Sequence, residues 1–208
     1  MSRPRQPRRR DVLLAASVAG TACFVPAIAR AAETDERGRL KAKRYRLPMP
    51  GSDIGIGGAV IGIYAPMDAV LKVVLKFSNY HKILPRLEQS RIVGKEGDKT
   101  DVYVRAPIMG GVAHIWGVMR FGSPQPWAGK GKKLSGRLVK GNLEAYHGRW
   151  KLYPCGSERT ILQCEQFIDL KIPVPSSLVT PELEWACDKG VTAVRDIAEC
   201  GESTVKEA

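Results

Sequence analysis

Residues 65–93 limit the fold more than any other part of the chain. Ala65-Pro66 stops a strand, because proline has no N–H to give to a ladder. Val70, Leu71, Val74, Leu75 and Phe77 then recur at helical spacing and make one buried stripe. A short second helix over residues 79–84 breaks at Leu84-Pro85, and a new strand runs from Leu87 to Val93. Two small helices therefore sit between a first strand and everything that follows.

The first strand is Gly55 to Tyr64, an apolar run rich in glycine. It lacks both the GxGxxG spacing and the Gly-Lys-Ser/Thr ending of a phosphate loop, so close backbone contact is its expected role. After Leu87–Val93, strand patterns recur at 101–105, 112–121, 134–139, 143–153 and 160–170. Turns separate them at Gly94–Asp98, Gly110-Gly111, Pro124–Gly131, Gly141-Asn142 and Cys155–Arg159. Pro173 and Pro175 end the series. Thr180-Pro181-Glu182 offers a cap, a first-turn proline and a first-turn acid. Leu183, Cys187, Val191, Val194 and Ala198 continue at helical spacing, and Gly201 is the expected stop. The expectation is an α+β domain over 55–201: a curved, seven-stranded antiparallel sheet wrapped around one long C-terminal helix. Residues 32–54 read as a polar linker or arm, and 202–208 as a tail.

The N-terminus reads as an export signal. Arg8-Arg9-Arg10 precedes an apolar stretch from Val12 to Ile28, and Ala29-Arg30-Ala31 is a small-x-small cleavage site. Arg9-Arg10-Asp-Val-Leu resembles a twin-arginine motif in which Val12 replaces the usual Phe. An ordinary secretory signal and an anchoring helix are the alternatives. Pro26 interrupts the stretch, and a span needs about 20 apolar residues. Ala22-Cys23 resembles a lipobox except at Gly20, which leaves lipoprotein anchoring open. Residues 1–31 hold six Arg and one Asp, a net +5 of the chain's +12. A periplasmic or secreted location makes a nucleic-acid partner unexpected. The remaining basic excess could meet an anionic membrane.

The order of strand, two short helices, six strands and a long helix resembles the helix-grip fold of the START-like, or SRPBCC, superfamily. That superfamily includes polyketide cyclases and coenzyme Q-binding proteins. Residues 65–85 resemble its opening. Gly148-Arg-Trp150-Lys-Leu152-Tyr-Pro154 resembles its G-x-W-x-L-x-P strand, and Ile172-Pro173-x-Pro175-Ser-Ser resembles the lead-in to its last helix. The resemblance implies an apolar cavity between sheet and helix and no cofactor. It carries over no catalytic residue.

Alternation then names the expected walls. If Pro154 pairs with Thr160, Trp150 opposes Cys164. Tyr146, Trp150, Leu162, Cys164 and Ile168 share one face, and Leu183, Cys187, Val191 and Val194 face them from the helix. Plain core packing is the alternative for each. Candidate polar groups in the cavity are Tyr103, Arg105, His114 and Glu165, unless they face solvent. His81 and His147 are expected on the surface, and no His pair has metal-ligand spacing. Cys187 and Cys200 lie about 20 Å apart along the helix, too far to bond. The returning helix brings Cys200 toward Cys155, the favoured disulfide pair, while Cys164 and Cys187 either face each other or stay as free thiols. The functional expectation is an exported protein that binds a lipid, quinone, isoprenoid or similar apolar molecule. A cofactor-free cyclase or hydratase and a non-catalytic scaffold are the alternatives.

Overall fold

A computed structural model describes residue 34 and residues 38–84, 86–108, 111–172 and 174–200. The stretch read as an export signal, the expected tail, Pro85, Gly110, Pro173 and Gly201 lie outside the described residues. The first hairpin among the described residues is formed by β1 (Lys43–Met49) and β2 (Ser52–Ile63). Next come α1 (Met67–Val74), a turn of 3-10 helix at Phe77–Asn79 and α2 (Tyr80–Ile83). β3 (Gln89–Glu96), β4 (Lys99–Ile108), β5 (Ala113–Phe121), β6 (Gln125–Trp127), β7 (Gly131–Gly141), β8 (Leu143–Pro154) and β9 (Thr160–Leu170) follow. α3 (Ser176–Cys200) closes the fold.

All strand pairs are antiparallel, in the order β1-β2-β9-β8-β7-β5-β4-β3, with β6 as a short branch on β7. The architecture is the expected helix grip, but the sheet has nine strands where seven were expected. The extra strands come from the supposed linker and from the Pro124–Gly131 turn. β1 escapes a hydrophobicity reading because it is an edge strand with charged residues on both faces. Its Arg44 and Arg46 reach over to Asp188 and Glu184 of α3, the latter pair at 2.7 Å. β6 has three residues and a central proline, which suits only a sheet margin.

The apolar stripe of α1 packs as its spacing requires, with Val70, Leu71 and Val74 buried against α3 and β8. α3 runs across β2, and Gly57 allows this. A Cβ there would lie 2.5 Å from both Leu183 Cβ and the Glu184 nitrogen. α3 starts one turn before the expected cap. The Pro175 carbonyl accepts from the Leu178 N–H at 2.9 Å and so closes the first turn. Pro181 therefore stands inside the helix, and Thr180 is not its cap. Thr180 is buried, and its hydroxyl accepts from the Gly55 N–H at 3.0 Å, tying α3 to β2.

Candidate functional site

The two halves of α3 meet different surroundings. The C-terminal half is packed: Val191 and Val194 are buried among α1 and the sheet, and Gly190 lies against Leu84 and Trp150. The N-terminal half stands off from β4, β5 and the neighbouring ends of β8 and β9. The gap is a cavity of about 450 Å³. Its sheet wall includes Val104, Ala106, Ile115, Met119, Ile168 and Leu170, and its helix wall includes Leu178, Leu183 and Ala186. Among the exposed members of the lining, Arg86, Leu178 and Glu182 mark the mouth.

Tyr80 and Phe121 line the floor, and further aromatic rings pack against them in the core. Phe77 stacks on Phe121 with centroids 4.8 Å apart, and Tyr80 meets Phe121 at 6.2 Å and Trp150 at 6.4 Å, both edge-on. Such pairs add about 0.5–1.5 kcal/mol each beyond their burial. The Tyr80 hydroxyl donates to the Val74 carbonyl at 2.8 Å, which fixes the ring and leaves no free polar tip.

Three of the expected wall residues, Tyr146, Ile168 and Leu183, line the cavity. The register was anticipated: Pro154 pairs with Thr160 and Trp150 with Cys164. The other expected wall residues, Trp150, Leu162, Cys164, Cys187, Val191 and Val194, are core rather than lining. Alternation names the face a residue takes, not how far the opposite layer stands from it. The walls contributed by β4 and β5 were missed, although the alternation of Asp101–Arg105 already placed Val102 and Val104 on one side.

The expected polar groups do not reach the cavity. Tyr103, Arg105 and His114 lie on the outer face of the sheet. Tyr103 stacks on Trp116 under the Arg91 guanidinium, and Arg105 and His114 both approach Glu88, at 3.4 and 3.3 Å. Glu165 also faces outward but is only 2% exposed, because Tyr45 of β1 covers it. Its Oε1 accepts from Lys151 at 2.6 Å and from the Tyr45 hydroxyl at 3.1 Å. Burial and the neighbouring carboxylate push the Tyr45 hydroxyl far above its ordinary value.

Polar groups inside the cavity are few. Tyr146 folds over Gly148, where a Cβ would come within 2.2 Å of its hydroxyl. Gly148 pairs with Gln166, so the hydroxyl and the Gln166 amide share one region of the wall. The Tyr146 hydroxyl has no hydrogen-bond partner among the described residues, and burial holds it protonated. At the mouth, Arg86 takes a left-handed backbone (φ 65°), donates to Glu182 and lies 4.5 Å from the centre of the Trp185 ring. This bridge ties the α2–β3 segment to α3.

Cys155, Cys164, Cys187 and Cys200 are free thiols in the structure. Cys164 faces Cys187 across the sheet–helix interface, and this contact, with burial, holds the Cys187 thiol well above its ordinary value. No cluster of three or more His, Cys, Asp or Glu among the described residues is arranged to hold a metal.

Residues 63–195 match the family described as polyketide cyclase/dehydrase and lipid transport. Among solved structures, the fold is similar to a STAR-related lipid transfer protein from Xanthomonas axonopodis, with TM-score 0.66 and 16% identity over 81% of this chain and 97% of that one. It is similar to the lipid transfer and protein localization domain of human StarD13, with TM-score 0.62 and 16% identity over 77% of this chain and 85% of that one. It is also similar to the Zhui aromatase/cyclase from Streptomyces sp. R1128, with TM-score 0.50 and 16% identity over 69% of this chain and 90% of that one. No curated protein sequence matches significantly. The matched residues run from the end of β2, through the paired short helices and the sheet, into the closing helix; the chain belongs to the polyketide cyclase/dehydrase and lipid transport family, within the START-like superfamily.

Proposed function

We propose that the protein binds one small apolar molecule in the cavity under the N-terminal half of α3. The observation that supports this most is a concave space walled by aliphatic and aromatic carbon, with a few polar groups at one wall and the mouth. At roughly 30 Å³ per non-hydrogen atom with its hydrogens, judged from the volume share of a water, the space suits a ligand on the order of 15 such atoms. That is the scale of a ring system or a single short isoprenoid chain. A molecule with two long acyl chains would not fit without the mouth opening.

The polar groups refine the reading. A tyrosine held protonated donates and does not act as a base, so Tyr146 suits a ligand carbonyl or other acceptor. Gln166 can donate or accept beside it. This favours capture of a quinone-like or ketone-bearing molecule over proton abstraction from it. Burial of the ligand's apolar surface supplies the affinity, roughly 25 cal/mol per Å² removed from water.

Titration with the neutral fluorescent probe N-phenyl-naphthylamine tests this. Saturable one-to-one binding is expected for the full chain. Ala186→Trp fills the cavity from the helix side and should abolish binding without unfolding the protein. Unchanged probe affinity in that variant would refute the site. Export is also part of the proposal, supported by the basic, apolar and small-residue order over residues 8–31. It predicts a mature chain starting after Ala31, and mass spectrometry of protein from the producing cells reads this directly.

A further inference from the structure

The outer face of the sheet carries a second depression, of about 350 Å³, on the side away from the apolar cavity. Its rim is built from outward positions of three adjacent strands. Arg120 of β5 pairs with Arg137 of β7, and Arg137 pairs with His147 of β8, so these three stand in one row. Ser135 pairs with Arg149 in the next row. Lys99 closes one side. With strands about 4.8 Å apart and same-face residues about 6.8 Å apart, positions 135, 137, 147 and 149 mark a rectangle the size of a small anion with its hydrogen-bonding shell. The floor is backbone at Gly136 and Gly148, whose inward sides face the other surface of the sheet.

Like charges directly opposite each other in an antiparallel pair destabilise a sheet. Arg120 opposite Arg137 is such a pair. The chain's own acids only partly answer it. Arg120 is held by Asp101 at 2.7 Å and by Glu96 at 3.2 Å. Arg149 lies 3.6 Å from Glu165 Oε2, and the other oxygen of that carboxylate is taken by Lys151 and Tyr45. Arg137 and Lys99 have no ion pair among the described residues, and both are exposed. Two guanidinium forks, a hydroxyl and an imidazole thus converge on a dent with surplus positive charge.

We propose that this dent is an anion site for a phosphoryl-type oxyanion, either free phosphate or the phosphate of a lipid headgroup. Guanidinium groups match such an anion through paired N–H···O bonds, and Ser135 and His147 can donate to its remaining oxygens. The site is separate from the apolar cavity and does not depend on the ligand proposed for it.

The test uses the full chain. Inorganic phosphate is titrated at low ionic strength by calorimetry, and amide shifts are followed by NMR. Vesicles of phosphatidylcholine, with and without phosphatidic acid, form a second arm. The expected result is saturable phosphate binding with the largest shifts at Gly136, Gly148 and their neighbours. Arg137→Ala with Arg149→Ala should weaken it at least tenfold, and Lys82→Ala with Lys171→Ala, an equal charge change elsewhere, less than twofold. Arg137→Lys with Arg149→Lys should fall between, because lysine keeps charge but loses the fork. Phosphate binding with no preference for acidic vesicles identifies a free-anion site. Vesicle binding that needs phosphatidic acid and is displaced by phosphate identifies a headgroup site. Shifts spread over other basic surfaces, or equal losses in the two alanine pairs, would overturn the proposal. Mapping on the wild-type chain decides the matter even if a variant fails to fold. Probe affinity in the apolar cavity should be unchanged in every variant, so failure here and failure of the cavity reading are distinguishable.

Discussion

Leu162 and Ile168 lie on the same face of β9, six residues apart, and alternation treats them alike. The structure separates them. Leu162 is fully buried in the core, whereas Ile168 is partly buried and forms cavity wall. Leu162→Ala should cost about 2–5 kcal/mol of stability, because removing three carbons leaves a void the neighbours cannot fill. Ile168→Ala removes as much carbon from a side chain that already borders empty space, so its stability cost should be roughly 1 kcal/mol. Ligand binding should show the reverse order. At about 0.8 kcal/mol per methylene, three carbons set a ceiling of about 2.4 kcal/mol, and with one side of Ile168 packed on protein about half applies. That is roughly an eightfold rise in Kd for Ile168→Ala and little change for Leu162→Ala. Urea unfolding and probe titration on the same samples measure both quantities. If Leu162→Ala weakens the probe as much as Ile168→Ala while still folded, the division of α3 into a packed half and an open half is wrong.

Three further outcomes are expected. Tyr146→Phe should leave stability nearly unchanged and weaken an acceptor-bearing ligand by about 0.5–1.5 kcal/mol, with no effect on a pure hydrocarbon analogue; isothermal titration with the two ligands checks this. Lys151→Met should destabilise by about 1–3 kcal/mol, because it leaves the buried Glu165 carboxylate with only the Tyr45 hydroxyl and the more distant Arg149, and adding Glu165→Gln should recover most of the loss in a double-mutant cycle. The Arg120 hydrogen bonds hold the Asp101 carboxyl below its ordinary value. This contribution is fully present above the unfolded pKa of about 3.9 and is lost as pH falls through the lower folded value. Asp101→Asn should therefore be less stable than the wild type at pH 7 and lose that deficit under strongly acidic conditions, as read by thermal unfolding across pH.

The local signals in the chain proved informative where one layer decides the outcome. The breaks at Ala65-Pro66 and Leu84 placed the short helices, and turn chemistry between Pro154 and Thr160 set the β8–β9 register that brings Trp150 opposite Cys164. Features that depend on two layers were not legible. β1 looks like a linker because its Arg44 and Arg46 find their partners about 140 residues later on α3. Glu165 looks solvated because the tyrosine that covers it belongs to that same overlooked strand. The cavity itself depends on the height of α3 above the sheet. That height is set by contact at Gly57 and by α1 beneath the far half of the helix, and hydrophobic periodicity carries no information about it.

The proposed function requires this chain to hold one small apolar molecule beneath the N-terminal half of α3. Native mass spectrometry of the protein purified from the cells that make it tests this most directly. A single non-covalent adduct of small mass is expected on the wild-type chain, absent from Ala186→Trp prepared in the same way. A wild-type protein that carries no adduct and takes up no neutral apolar probe would contradict it.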